Sequence, residues 1–167
     1  MNALEMTNEP DSVATVAVTR CSLLEELLHR NRPVLLTAIA CAGLQAIAVR
    51  YSGSGDEGNI DTMLCRQSDS ETWQAVPEAA AEIEVTIYRY HGSWSDQVPP
   101  AELQTETLTL EAALTDHAEE ILQHYYRGWE NGEGAEGSII FDTGATEIRI
   151  EHGIFVVTKE TEVTVLP

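Results

Sequence analysis

After Gly43 the chain changes its period, and that change restricts the fold more than any other feature. From Gln45 onward Ile47, Val49 and Tyr51 share one side, with Ala46, Ala48 and Arg50 on the other. Alternation with a period of two sends successive side chains to opposite faces, so this stretch is predicted to be a strand. It runs into YSGSGDEGNID, residues 51–61, where three glycines and two serines surround three acids. Ile60 to Arg66 resumes a strand pattern, which makes the glycine-rich stretch a hairpin connection. Glycine supplies the left-handed backbone such turns need, and the carboxylates of Asp56, Glu57 and Asp61 then project from it.

The flanking segments extend this beginning. Ser22-Leu-Leu-Glu25 has the form of a capping box, predicting a helix from Leu23 to Arg30. Asn31-Arg32-Pro33 is expected to interrupt it, with a second helix running to Ala42 and Gly43 as its left-handed stop. Ile83, Val85 and Ile87 alternate with Glu84, Thr86 and Tyr88 in the clearest strand of the chain. The loop HGSWSDQVPPA precedes a helix predicted over Thr109 to Arg127, with Leu110, Leu114, Ala118, Ile121 and Tyr125 as its apolar stripe. NGEGAEG ends it. The tail is predicted to be a meander: Ser138 to Asp142, a turn at Thr143-Gly144, Glu147 to His152, a turn at Gly153, Ile154 to Thr158, and an edge at Val163 to Leu166. The expectation is an α+β fold, a mostly antiparallel sheet with helices packed on one face. Residues 1–20, polar and broken by proline, are expected to be a flexible N-terminal arm, leaving 21–167 as a single domain.

Charge narrows the function. The chain carries 28 acids against 9 bases, a net charge of −19, and residues beyond 50 hold 23 of those acids and only five bases. Lys159 is the only lysine. A basic face that follows phosphates is therefore not expected, and direct nucleic-acid binding is excluded from the reading. Such a field attracts cations and basic protein surfaces instead. No basic start precedes an apolar stretch, and the longest apolar run is too short for a comfortable membrane span, so a cytoplasmic protein with no membrane partner is expected. Cys21, Cys41 and Cys65 are odd in number and form no CxxC pair, as expected of idle thiols rather than a disulfide framework or a zinc ribbon.

No motif assigns catalysis, a metal or a cofactor. His117 and His124 stand seven residues apart, about 10.5 Å along a helix at about 1.5 Å per residue, too far for an HExxH-type pair. His117 reads as a histidine at the edge of the apolar stripe. Asp56, Glu57, Asn59 and Asp61 supply oxygens, but not in the order of an EF-hand loop, and no closing glutamate follows. The lysine of a phosphate-binding loop is missing, and Gly53-Ser54-Gly55 sets its glycines too close for a nucleophile elbow. Glu151 and His152 are adjacent on a predicted strand and so point to opposite faces. His152 shares the parity of Ile148 and Ile150 and is expected to be partly buried with a hydrogen bond. Trp73, Trp94 and Trp129 fall at loops or element ends, and Trp129, directly after the long helix, is the tryptophan singled out as a binding anchor.

Several pieces together resemble an uncharacterised bacterial family found on phages, plasmids and other mobile elements. The resemblance rests on Tyr51-Ser-Gly-Ser-Gly-Asp56-Glu-Gly58 with Ile60 behind it, and on Gly128-Trp129-Glu130-Asn131, Gly134, Gly137, Phe141-Asp142, Ile148 and Glu151-His152. It spans roughly residues 30 to 155, and the segment after His152 departs from it. It implies a small accessory protein of mobile DNA and carries no catalytic assignment. The resulting expectation is a non-enzymatic, acidic protein-interaction module that binds through Asp56, Glu57, Asn59, Asp61 and Trp129, a nucleic-acid mimic regulating or inhibiting a host protein. The alternative is a small metal-dependent hydrolase using the acidic glycine loop with His152. A homo-oligomer formed through a sheet edge is a third reading.

Overall fold

Helix α1 spans Asp11–Cys41 without a break, and its apolar residues explain why. Leu24, Leu27, Leu35, Leu36 and Ile39 are buried, and buried Asn31 falls on the same stripe. The phase of that stripe is the same on both sides of Pro33. The ring of Pro33 faces solvent, and the hydrogen bond it forgoes is offset by burial before and after it. The expected division at Asn31–Pro33 is therefore not present, and the helix starts at Asp11 rather than near Leu23. A computed structural model describes residues 11–68, 70–77, 81–90 and 101–158. Residues 1–10 of the expected arm, Trp94 and the edge expected at Val163 to Leu166 lie outside them.

Gly43, at φ +75°, ends α1 as expected. Strands β1 (Ala46–Ser54) and β2 (Glu57–Arg66) follow as an antiparallel hairpin, then the two-residue β3 (Gln74–Ala75). Further along come β4 (Glu82–Tyr90), β5 (Ala101–Thr109), helix α2 (Leu110–Tyr125), β6 (Ala135–Asp142) and β7 (Glu147–Ile154). The fold is α+β and its strands pair antiparallel, but among the described residues they form two sheets: one of five strands in the order β3-β2-β1-β6-β7, and a separate β4–β5 pair. β5 lies where the sequence reading had no element. The turn expected at Gly153 is instead part of β7, since Gly153 pairs with Glu136 and Ile154 with Ala135.

One face of the large sheet carries the core in three cross-strand rows. Cys65, Ile47, Phe141 and Ile148 form the first; Met63, Val49, Ile139 and Ile150 the second; Ile60, Tyr51, Gly137 and His152 the third. Buried residues of α1 and α2 share a core cluster with these rows, so the helices cover this face. The opposite face bears Arg50, Arg66 and Arg149 beside acidic residues and an apolar row of Leu64, Ala48 and Ile140. Arg66 pairs with Asp142 at 3.5 Å across Ala46, and Arg149 with Glu147 and Glu151.

The β4–β5 pair docks on the helices through an unusual device. Asn31 donates through Nδ2 to the Thr86 carbonyl and accepts through Oδ1 from the Thr86 amide, both at 2.7 Å. Its side-chain amide thus satisfies both backbone groups of one β4 residue, as a neighbouring strand would. Val85 beside it is buried in the common core. α2 begins on Thr109, whose hydroxyl accepts from the Ala112 amide at 3.2 Å. Its buried face comprises Leu110, Ala113, Leu114, His117, Ala118, Ile121 and Leu122, while Tyr125 is 62% exposed. The predicted stripe was rotated: His117 is inside it and Tyr125 outside.

Candidate acidic groove at the hairpin tip

The quoted stretch folds as two strands joined by a two-residue turn. Ser54 pairs with Glu57, and the intervening Gly55 and Asp56 have φ of 63° and 70°. Positive φ at both central positions is the mark of a type I′ turn, whose twist matches the flanking strands. The register then slips by one between Arg50 and Tyr51, because Arg50 faces Thr62 and Tyr51 faces Ile60. Asp61 is left over as the extra residue of a β-bulge.

The segment after α2 braces this hairpin. The Gly55 amide donates to the Gly132 carbonyl at 2.9 Å and the Asp56 amide to the Glu130 carbonyl at 3.1 Å. Trp129 lies against Gly53 and Gly58, a cross-strand pair. A Cβ at Gly58 would stand 2.4 Å from the indole and one at Gly53 2.7 Å, so both glycines are needed for the close approach. The tryptophan also meets Tyr51 edge to face at 5.2 Å. Tyr51 in turn reaches over Gly137 so that its hydroxyl lies 2.6 Å from Nδ1 of His152, which stacks on Tyr126 at 3.9 Å. Burial, with a smaller contribution from Tyr126, pushes the Tyr51 phenol up to about 12, and burial lowers the His152 imidazole. His152 is thus the partly buried, hydrogen-bonded residue its parity suggested.

Between the hairpin, α2 and the turn at Trp129 lies a cavity of about 360 Å³. Asp56, Asn59, Trp129, Glu130, Glu119 and Gln123 line it. Three of the residues expected from sequence to bind, Asp56, Asn59 and Trp129, therefore share one groove. Glu57 is an exposed strand residue next to the turn, and Asp61 is the exposed bulge residue; neither lines the groove. Oε2 of Glu130 is buried with no hydrogen-bond partner among the described residues. Glu119 was missed because no local pattern links α2 to the β1–β2 hairpin, whereas Glu130 stands beside Trp129 in the quoted block but was not singled out as a binding residue.

Glu119 also forms one wall of a second cavity, about 340 Å³, between α2, α1 and the β4–β5 pair. Its lining includes Asn31, Glu106, Asp116, His117 and Glu120. Although solvent reaches both carboxyls, partial burial and then Glu106 raise Asp116, while partial burial and then Asp116 raise Glu119. His117 is 2% exposed, its Nδ1 has no partner among the described residues, and burial lowers its imidazole to about 4. The edge histidine of the sequence reading is thus a core histidine, neutral at pH 7.

The groove is electron-rich and floored by an indole, an arrangement suited to a guanidinium or an ammonium group. His152 lies on β7 and Asp61 on β2, with β1 and β6 between them in the sheet. At about 4.8 Å per strand that separation is about 14 Å. Among the described residues no helix is long and apolar enough to cross a membrane.

Neither the curated proteins nor the solved structures contain a match to this chain. A family model does match, over residues 27–164, and takes in both the hairpin and the block that braces it. The chain belongs to that family, a family of unknown function designated DUF6878.

Proposed function

We propose that the protein is a non-enzymatic acidic interaction module of mobile-element origin that engages a basic surface of a host protein in the cytoplasm. The observation that carries this reading is the placement of Asp56, Glu119 and Glu130 around the Trp129 indole in one cavity. An arginine of the partner would enter with its plane on the indole and its N–H groups toward the carboxylates. The acidic excess beyond residue 50 supports long-range attraction to such a surface, as a nucleic-acid mimic would exert. Glu57 and Asp61, exposed on the same hairpin, add to that field without lining the groove.

The test is capture from nuclease-treated bacterial lysate, over a series of salt concentrations, by wild type and by a variant carrying Asp56→Asn, Glu119→Gln and Glu130→Gln. Expected is a partner with a basic surface, retained by wild type at low salt, released as salt rises, and not retained by the variant. Equal retention by both proteins, or retention indifferent to salt, would rule the reading out.

A further inference from the structure

The structure assigns a transition-metal site, independent of the acidic groove, to Cys21 and Glu25 of α1 and His124 of α2. Cys21 and Glu25 are four residues apart on one helix and so lie one above the other on the same face. α2 brings His124 against that face. One ligand atom from each of the three residues lies within 4.8 Å of the other two. Glu25 Oε1 is 3.8 Å from the Cys21 sulfur and 3.9 Å from His124 Nε2.

In the metal-free protein the Cys21 thiol donates a long, weak hydrogen bond to Glu25 Oε1, which a metal would replace. At 3.9 Å the imidazole and carboxylate are beyond hydrogen-bond range. Around a tetrahedral zinc, with Zn–S of about 2.3 Å and Zn–N and Zn–O of about 2.0 Å, ligand atoms stand about 3.3 to 3.6 Å apart. The Cys21–Glu25 separation needs to shorten by about 0.3 Å, the Glu25–His124 separation by about 0.6 Å, and the Cys21–His124 pair, within 4.8 Å, by up to about 1.3 Å, all within the reach of a rotamer adjustment. Cys21 and Glu25 are exposed and free to adjust, whereas His124 is half-buried and held edge to face against Tyr125 at 4.5 Å. Thiolate, imidazole and carboxylate together select zinc, or cobalt as its spectroscopic substitute, over magnesium and calcium, which prefer oxygen alone.

Three protein ligands leave the fourth position to water. Binding displaces the Cys21 thiol proton to solvent and forms a sulfur–metal bond, while His124 coordinates as the neutral imidazole. The metal would tie the N-terminal half of α1 to the end of α2. Cys21 and Glu25 precede residue 27, so the site belongs to this chain rather than to the segment matched by the family.

The test is titration of the reduced, untagged full-length protein with cobalt(II), followed by displacement with zinc. Expected are a thiolate-to-cobalt charge-transfer band and tetrahedral visible bands that saturate at one equivalent and vanish on adding zinc. Cys21→Ser abolishes the charge-transfer band, Glu25→Gln and His124→Gln weaken binding, and Cys41→Ser leaves the spectrum unchanged. Zinc also raises the melting temperature of wild type but not of Cys21→Ser, whose unchanged far-ultraviolet dichroism verifies its fold. Absence of the band in wild type, its survival in Cys21→Ser, or indifference to His124→Gln would overturn the assignment.

Discussion

The Tyr51 hydroxyl reaches Nδ1 of His152 at 2.6 Å although an entire strand, β6, runs between the strands that carry them. Gly137 makes this reach possible, because it sits between them in the same row and has no side chain. A Cβ there would meet the Glu151 carbonyl at 2.0 Å and the Tyr51 hydroxyl at 2.5 Å. Tyr51→Phe, which removes one hydrogen bond and keeps the ring, should cost about 1 to 2 kcal/mol. Gly137→Ala should cost at least about 3 kcal/mol, since backbone must move. Urea denaturation of the two variants beside wild type measures both, and a milder effect for Gly137→Ala would contradict the geometry.

His117 predicts acid sensitivity. Its folded value of about 4 lies below the ordinary 6.5, so the unfolded chain takes up a proton first as pH falls. The associated stability is complete above pH 6.5 and is lost progressively toward pH 4, amounting to about 3 kcal/mol. Asp116 and Glu119, raised in the folded protein, act in the opposite sense and recover some stability as they protonate. Urea midpoints at pH 7.5 and 5 should therefore fall for wild type and change less for His117→Leu. Parallel slopes would show that His117 does not govern the loss.

Asp56 allows the turn and its charge to be separated. Its φ of 70° is a conformation that glycine adopts freely, so Asp56→Gly should leave stability within about 1 kcal/mol of wild type. The same variant removes a carboxylate from the groove and should reduce partner capture. Gly55→Ala does the reverse: it retains every charge but forces a side chain into the left-handed region, at about 1 to 2 kcal/mol. Thermal denaturation together with capture distinguishes the two effects.

Asn31 offers a test of hydrogen bonding against packing. Leucine at this position would complete the apolar stripe of α1, yet it leaves both backbone groups of Thr86 without their partner. Asn31→Leu should therefore destabilise by about 2 to 4 kcal/mol despite its greater hydrophobicity. A neutral or stabilising result, read from the urea midpoint, would mean that solvent reaches Thr86 once the amide is gone.

The sequence was most informative where period and glycine act locally. The β1–β2 hairpin, the stop at Gly43, the α2 start at Thr109 and the parity of His152 all follow from spacing within a few residues. It misled where burial overrides local rules. Asn31 and Pro33 look like a break, but the stripe around them keeps its phase. Tyr125 has the spacing of a core residue, but α2 is turned so that His117 is buried instead. β5 was overlooked because ELQTETLT has few apolar residues, and the strand is defined by its pairing with β4. The groove was half legible: Asp56, Asn59 and Trp129 stand out by composition and Glu130 is the chain neighbour of Trp129, whereas Glu119 joins them only through tertiary packing.

Pro33 has a consequence for how α1 comes apart. Lacking an amide hydrogen, it leaves the His29 carbonyl without the donor that an unbroken helix would supply. Fraying that enters from the Asp11 end therefore meets a missing rung before it reaches Leu35 and Ile39, both fully buried. Leu24, Leu27 and Asn31 are buried ahead of that rung and hold their turns in place, so amide exchange along this single helix should be fastest in the turns before Leu24, with a second, local opening at residue 33.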